Sequence, residues 1–150
     1  MLLLLFHLDR HRYVLDVREV IEVLPLIELM PIPQAPQALA GMFNYRGALV
    51  PAIDLAQVVL GRPAHHRLHT RIILAQYTDD SGTSQHLGLI AEKATETLRL
   101  EPTDFRASGV SVPHFGAVAS DQEGFTQRIS VSELLSASMR QLLFQPSRAQ

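Results

Sequence analysis

Three histidines lie close together in the sequence, and their side chains are the first candidates for chemistry. His65, His66 and His69 form an H-H-x-x-H pattern, and neutral imidazoles are common zinc ligands. The segment lacks helical patterning, and the nearest acids in sequence are Asp54 and Asp79, so a carboxylate ligand is not close at hand. We therefore expect a solvated loop with no metal and no cofactor. A metal-dependent enzyme using these histidines is kept as the weaker alternative.

The usual nucleophile and phosphate-binding patterns are absent from the sequence. The chain has no cysteine, which excludes a thiolate nucleophile, a disulfide and Cys-ligated zinc. No G-x-S-x-G elbow, G-x-G-x-x-G loop or Walker A motif occurs. Glu92 and Glu96 are close in sequence, but we expect this carboxylate pair to be solvated at a strand junction. These observations predict a protein with no catalytic residues.

Composition narrows the class of protein further. The chain has 150 residues, 47% of them hydrophobic and 19% charged, and a net charge of −2. This length predicts one domain over residues 1–150 with a real core. The near-neutral charge argues against nucleic acid as a partner, because phosphate neutralisation supplies most of that binding. The apolar start ends after six residues at His7, too early for a signal peptide or a membrane span.

A polar turn between two apolar runs is the remaining candidate for binding. Arg46 and Gly47 separate the runs at residues 42–45 and 48–55 and follow Asn44 and Tyr45 directly, and Arg-Gly between apolar runs is typical of a tight hairpin. From these residues alone, Arg46 is either a solvated turn residue or a guanidinium held in a structured contact.

The elements that must position this turn are short strands separated by polar, glycine-containing or proline-containing segments. The predicted strands cover residues 2–8, 13–17, 20–24, 42–45, 48–55, 72–77, 87–91, 95–100 and 125–131. Pro51 inside its run predicts a strand edge or a bulge. Residues 31–36 hold three prolines and predict an extended connector. Residues 37–40 could form one helical turn. This pattern predicts an all-β barrel class.

One helix is predicted, at the C-terminus. Ser130 and Glu133 have the spacing of a capping box. Apolar side chains follow at helical spacing, with one face made by Val131, Leu134, Leu135, Leu142 and Leu143. Residues 145–150 are expected to form a frayed tail.

The order of these segments resembles the CheW-like family of chemosensory coupling proteins. Most specific is G-M-F-N-Y-R-G at residues 41–47, which matches the family's G-x-x-N-x-R-G. V-I-E-V at residues 20–23, P-I-P-Q-A-P at 31–36 and V-P-A-I-D-L at 50–55 match the family's V-x-E-[IV], I-P-x-x-P and [IV]-P-x-[IV]-D-L elements. The opening hairpin and G-L-I-A-E at residues 88–92 extend the resemblance to nearly the full chain.

The resemblance implies two SH3-like five-stranded β-barrels that share a core, with a C-terminal helix. It also implies a non-catalytic cytoplasmic coupler, recruited to membrane-associated receptor arrays. The implied partners are the cytoplasmic tip of a methyl-accepting receptor and the regulatory domain of a CheA-type histidine kinase. The resemblance places the receptor or kinase contacts at Val20, Glu22, Asn44, Arg46, Gly47, Val50 and Pro51.

Physical chemistry suggests a role for each of these positions. Asn44 tolerates a positive φ or bonds its own backbone, and Gly47 allows a positive φ. We predict a charge-assisted bond between Arg46 and Glu22. Val20 and Val50 are expected to line the receptor groove. Pro51 is expected to keep the strand edge from pairing freely.

The second half of the chain departs from the family pattern. Ala91 and Glu92 replace the usual Val-Asp, and Thr126, Gln127 and Arg128 lie in a final strand that is normally apolar. A coupler of a non-flagellar array, such as a Wsp-like surface-sensing system linked to cyclic-di-GMP synthesis, is therefore an open alternative. A coupler normally fused to a receiver domain is another, against which the 150-residue length argues.

Overall fold

Strands dominate the computed structural model, which describes residues 1–107, 109 and 116–144. The strands described there are β1 Leu2–Leu8, β2 His11–Asp16, β3 Val20–Pro25, β4 Leu39–Tyr45, β5 Ala48–Asp54, β6 Arg71–Thr78, β7 Ser84–Arg99, β8 Phe105–Arg106, β9 Val118–Asp121 and β10 Gly124–Arg128. The α-helices are α1 Leu55–Leu60 and α2 Ala137–Leu142, and 3-10 turns cover Val17–Glu19, Pro102–Asp104 and Val131–Glu133. Within the described ranges, neither α-helix is long and apolar enough to span a bilayer.

Two groups of strands share the long strand β7. In the first subdomain, β6 and β5 flank the start of β7, β3 pairs with β6 and β4 pairs with β5. In the second subdomain, β1 pairs with the end of β7, and β2, β10, β9 and β8 follow in order. This pairing confirms the predicted all-β architecture of two small barrel-like subdomains. In the described residues β3 and β4 do not pair directly, and the connector after β3 reaches β4 through an isolated bridge from Met30 to Met42.

The two subdomains share a core because β1 and β2 bury both of their faces. One face contributes to the large core, which also holds Phe43 and Ile72 of the first subdomain. The β1 and β2 residues on that face are Leu4, Phe6, Leu8, Tyr13 and Leu15. The alternate residues Leu3, Leu5 and Val14 form a second, smaller core. Side chains alternate between faces along a strand, so one hairpin serves both cores.

Strand and helix boundaries differ from prediction at several places, and three of them change the type or number of elements. Residues 87–91 and 95–100, predicted as separate strands, belong to the single strand β7, which contains Lys93 at a φ of 51°. Residues 37–40 form no helical turn, since β4 begins at Leu39. The predicted strand at 48–55 ends at Asp54, and α1 follows it.

The C-terminal helix is shorter than predicted and is capped elsewhere. Ser130 makes no side-chain capping bond, and only the 3-10 turn Val131–Glu133 follows it. The α-helix begins after Ser136, whose hydroxyl accepts a hydrogen bond from the Met139 N–H at 3.2 Å. The backbone is not helical between the 3-10 turn and the α-helix. The adjacent residues Leu134 and Leu135 lie in this stretch, and both are buried. The predicted tail at 145–150 and part of the predicted loop at 101–116 lie outside the described residues.

Gly88 gives a test of core packing in the first subdomain. A Cβ at this position would overlap the ring of Phe43 and lie 3.1 Å from Ile72 Cγ2. We expect Gly88→Ala to lower the free energy of unfolding by about 1–3 kcal/mol, as overpacked cores do, measured by urea unfolding. The double variant Gly88→Ala with Phe43→Leu should lose less than the sum of the two single changes. Additive losses would contradict this contact.

Candidate functional site

The turn between β4 and β5 is a two-residue hairpin turn with both central residues in the left-handed region. Tyr45 pairs with Ala48, and φ is 50° at Arg46 and 89° at Gly47. The Gly47 N–H donates to Asn44 Oδ1 at 2.9 Å. Gly47 therefore adopts the predicted positive φ, and Asn44 takes the backbone-bonding role. Arg46 also takes a conformation that costs a side-chain-bearing residue roughly 1–2 kcal/mol.

Arg46 belongs to a cluster that we call the Arg46 cluster, made of Glu22, Tyr45, Arg46 and His86. Arg46 Nη2 lies 3.6 Å from Glu22 Oε1, so the structure brings the predicted partners together as an ion pair. That separation is longer than a hydrogen bond. The Tyr45 hydroxyl donates to the same Glu22 oxygen at 3.3 Å. The Arg46 guanidinium lies 5.2 Å from the Tyr45 ring centroid, and His86 meets that ring edge-on at 5.9 Å.

The charges of the Arg46 cluster face solvent. The side chain of Arg46 is 77% exposed and that of Glu22 is 39% exposed. An ion pair at such exposure contributes at most about 1 kcal/mol to stability. Both charged groups are therefore available to a partner at little cost to the fold.

An apolar groove of about 670 Å³ lies on the same subdomain. Its lining comes from the connector at residues 32–35, from Leu39 and Met42 of β4, from residues 48–51, from the start of β7 at residues 84–86 and from residues 142–144. Two large apolar side chains there are strongly exposed, Leu49 at 60% and Leu142 at 50%. His86 lines the groove and also contacts Tyr45, so the Arg46 cluster and the groove are continuous.

The structure separates Val20 and Val50, the two apolar residues that were predicted to line the receptor groove. Val50 and Pro51 line this groove, but Val50 is only 2% exposed and pairs with Phe43. Val20 is half-buried against the core and is not among the lining residues. Beside Pro51 the edge of β5 is open, because β5 pairs with β7 only from Ala52 onwards. The groove occupies this gap.

Sequence reasoning missed two roles, that of Tyr45 in the Arg46 cluster and that of Asp54 as the cap of α1. The Tyr45 hydroxyl donates to Glu22, and the Tyr45 ring lies against the Arg46 guanidinium. In the sequence, only its place inside the N-Y-R-G motif pointed to this role. Asp54 caps α1, because its Oδ1 accepts from the Ala56 N–H at 3.1 Å. An Asp before an apolar run at helical spacing and a Gly at residue 61, here with φ 73°, are ordinary signals of a helix's two ends.

Two buried carboxylates fix the histidine-rich connector between α1 and β6. Asp54 Oδ2 accepts from the Ala64 N–H at 2.9 Å, and Glu92 Oε2 accepts from the His65 N–H at 2.6 Å. His65, His66 and His69 are exposed, as predicted. In the part of the chain that the structure describes, no group of three or more His, Asp or Glu side chains is placed to hold a metal.

Glu92 is buried, which corrects the prediction that it is solvated. Its carboxylate lies against Arg62, with Nη1 at 3.0 Å from Oε2 and Nη2 at 3.2 Å from Oε1. Arg62 Nη2 also donates to Asp9 Oδ1 at 2.5 Å. Burial by itself raises the pKa of Glu92, but the hydrogen bonds from Arg62 and from the His65 N–H outweigh it, and the pKa is lowered. The charged form is therefore the one that the fold binds.

The chain is similar to known proteins in both sequence and fold. The CheW-like domain model matches residues 2–139, so the chain belongs to the CheW-like domain family. A curated relative is the chemotaxis protein CheW of Helicobacter pylori (strain ATCC 700392 / 26695), 24% identical over 99 residues, which are 66% of this chain and 57% of that protein. A solved structure, the scaffolding protein TtCheW from Thermoanaerobacter tengcongensis, superposes with a TM-score of 0.80 at 22% identity, covering 91% of this chain and 88% of that chain. The latter likeness shows the shared fold.

The Glu92 pair predicts a specific acid sensitivity. A lowered folded-state pKa contributes stability that is present above the ordinary glutamate value of 4.5 and is lost as pH falls through the folded value. We expect the stability difference between the wild type and Glu92→Gln to be largest near neutral pH and to shrink below that value. Urea unfolding at a series of pH values measures it. Glu96→Gln, at an exposed position, is the matched control. A difference that does not change with pH would rule this assignment out.

Proposed function

We propose that this chain is a non-catalytic scaffold that couples the cytoplasmic tip of a methyl-accepting receptor to the regulatory domain of a CheA-type histidine kinase. In this proposal residues 1–150 act as a single domain, in the cytoplasm, recruited to receptor arrays by protein contacts. Membership of the CheW-like family supports the general role. The names of the two relatives, a chemotaxis protein and a scaffolding protein, agree with it.

The observation that carries the proposal is an exposed charge cluster continuous with an apolar groove. A helical partner typically lays apolar side chains into such a groove, here against Leu49 and Leu142, which are 60% and 50% exposed. Charged groups at a rim set orientation and partner choice more than raw affinity. Arg46 and Glu22 offer one charge of each sign next to the groove.

Each predicted site residue then has a distinct task. Arg46 and Glu22 contact the partner, while Asn44 and Gly47 hold the turn that presents Arg46. Val50 and Pro51 form the floor of the groove and keep the edge of β5 open there. Val20 supports β3 from the core side next to the irregular pairing before Glu22.

Arg46→Ala is the direct test of the charge cluster. We expect binding of the kinase regulatory domain or of a receptor-tip hairpin, measured by biolayer interferometry, to weaken by about tenfold, or about 1.4 kcal/mol. Unfolding free energy should change by less than about 1 kcal/mol, since the pair is exposed. Arg106→Ala removes an exposed arginine of the second subdomain and serves as control. Wild-type protein that binds neither partner would refute the coupling role.

The groove has its own matched pair of variants. Leu49 in the groove is 60% exposed, and Leu68 on the histidine-rich connector is 82% exposed. We expect Leu49→Ser to weaken partner binding and Leu68→Ser to leave it unchanged, with little effect of either on unfolding because both side chains already face water. Equal effects of the two changes on binding would remove the groove from the proposal.

A coupler of a non-flagellar, Wsp-like array linked to cyclic-di-GMP synthesis is the second candidate. The departures of the second subdomain favour it: in β10, Thr126 is 1% exposed while Phe125 is 74% exposed, so a polar side chain occupies a buried position and an aromatic one faces outward. This exchange of polar and apolar positions is what we expect if the second subdomain presents a different surface to its partners. Binding measured against kinase regulatory domains from a motility system and from a surface-sensing system distinguishes the two candidates.

A further inference from the structure

Glu19 lies where the chain passes from one subdomain to the other. The 3-10 turn Val17–Glu19 joins β2 of the second subdomain to β3 of the first. A second crossing in the same direction runs from β10 into the 3-10 turn Val131–Glu133, which packs against β6 of the first subdomain. The Glu19 carboxyl faces the backbone N–H of Val131. Both crossings therefore meet at this side chain.

The neighbouring acid is fully partnered. Asp16, which is 3% exposed, accepts hydrogen bonds from the backbone and side chain of Arg18 at 2.7–3.1 Å. Arg128 of β10 adds an ion pair, with Nη2 at 3.5 Å from Asp16 Oδ2. The hydrogen bonds from Arg18 lower the pKa of Asp16 most strongly. Asp16 thus remains charged and forms ion pairs with Arg18 and Arg128.

Glu19 is left with an unsatisfied oxygen. The side chain is half-buried, and its Oε2 atom is buried with no hydrogen-bond partner among residues 1–107, 109 and 116–144. Burial raises the pKa of Glu19 most strongly, and the Val131 N–H opposes it. The Asp16 charge raises the pKa further, against the smaller opposing effects of Arg128 and Arg18. The strands beside the crossing bring apolar residues: Leu3 of β1 pairs with Asp16, and Ala75 of β6 pairs with Val20. Glu133 on the facing turn is exposed.

We propose that Glu19 is a proton-sensitive contact between the two subdomains. The contact stabilises their junction when the carboxyl is neutral and destabilises it when the carboxyl is ionised. A buried ionised oxygen without a partner costs free energy that a neutral one does not. A local opening at the crossing removes this cost by letting water reach Oε2. Such an opening needs far less free energy than global unfolding. This regulation goes beyond the coupling role, because it sets how rigidly the two subdomains are joined.

Glu19→Gln, which mimics the neutral acid, tests the proposal. A raised folded-state pKa means that the stabilising form is fully present below the ordinary value of 4.5 and is lost as pH rises through the folded value. We expect Glu19→Gln to be more stable than the wild type at pH 7 and equally stable at pH 4. Comparison with the wild type at the same pH cancels the acid sensitivity of Asp16 and Glu92. Glu28→Gln, at an exposed position, should show no difference at either pH.

Hydrogen exchange locates the effect. At pH 7, amides at residues 17–20 and 128–133 should exchange several-fold more slowly in Glu19→Gln than in the wild type, while β6 and β7 amides stay unchanged. Equal exchange at the crossings, or slower exchange spread evenly over the protein, would overturn the proposal. Should the variant fail to fold, a carboxyl NMR titration of the wild type decides. A Glu19 midpoint at or below that of the exposed glutamates overturns the proposal, and a higher one supports it.

Discussion

The alternation of side chains along β1 and β2 is the constraint on which both subdomains depend. Leu4 and Phe6 of β1 enter the large core, while Leu3 and Leu5 enter the small one. A one-residue shift in strand register moves every side chain to the opposite face. In most antiparallel sheets such a shift exposes one apolar set, but here it would exchange the contents of two cores. The register of the β1–β2 hairpin therefore determines the packing of both subdomains. Because β7 pairs with β1, the same register also determines the position of β7.

Much of the fold follows from local sequence signals, and the errors have physical causes. The strands with β-branched runs and the Arg46–Gly47 turn were predictable, because side-chain alternation and turn chemistry are local properties. The helix α1 was missed because it is only six residues long, and its first residue, Leu55, was assigned to the end of the preceding strand. The C-terminal helix was misplaced because Ser130 satisfies a capping pattern, whereas the residue that caps the helix is Ser136, after the buried Leu134 and Leu135.

The candidate site was predictable in its turn and less so in its surroundings. The pairing of Glu22 with Arg46 came from the family resemblance and is present as an ion pair at 3.6 Å, longer than the hydrogen bond that was predicted. Tyr45 and the groove residues near Leu142 could not be read from the sequence, because they meet through tertiary packing across the first subdomain. Burial of Glu92 was missed for the same reason, since its partner Arg62 is 30 residues away in sequence. Long-range polar partners leave no periodic signal.

The connector between α1 and β6 is fastened through its backbone. Asp54 and Glu92 bond the amides of Ala64 and His65, and the Thr70 hydroxyl donates to the His65 carbonyl. Those anchors act on main-chain atoms that every residue except proline carries. Evolution can therefore vary the exposed histidines His65, His66 and His69 of the connector, while its length is held constant, because an inserted residue would move both amides away from carboxylates that are fixed in the core. Homologous sequences should show substitution at these three positions and few gaps.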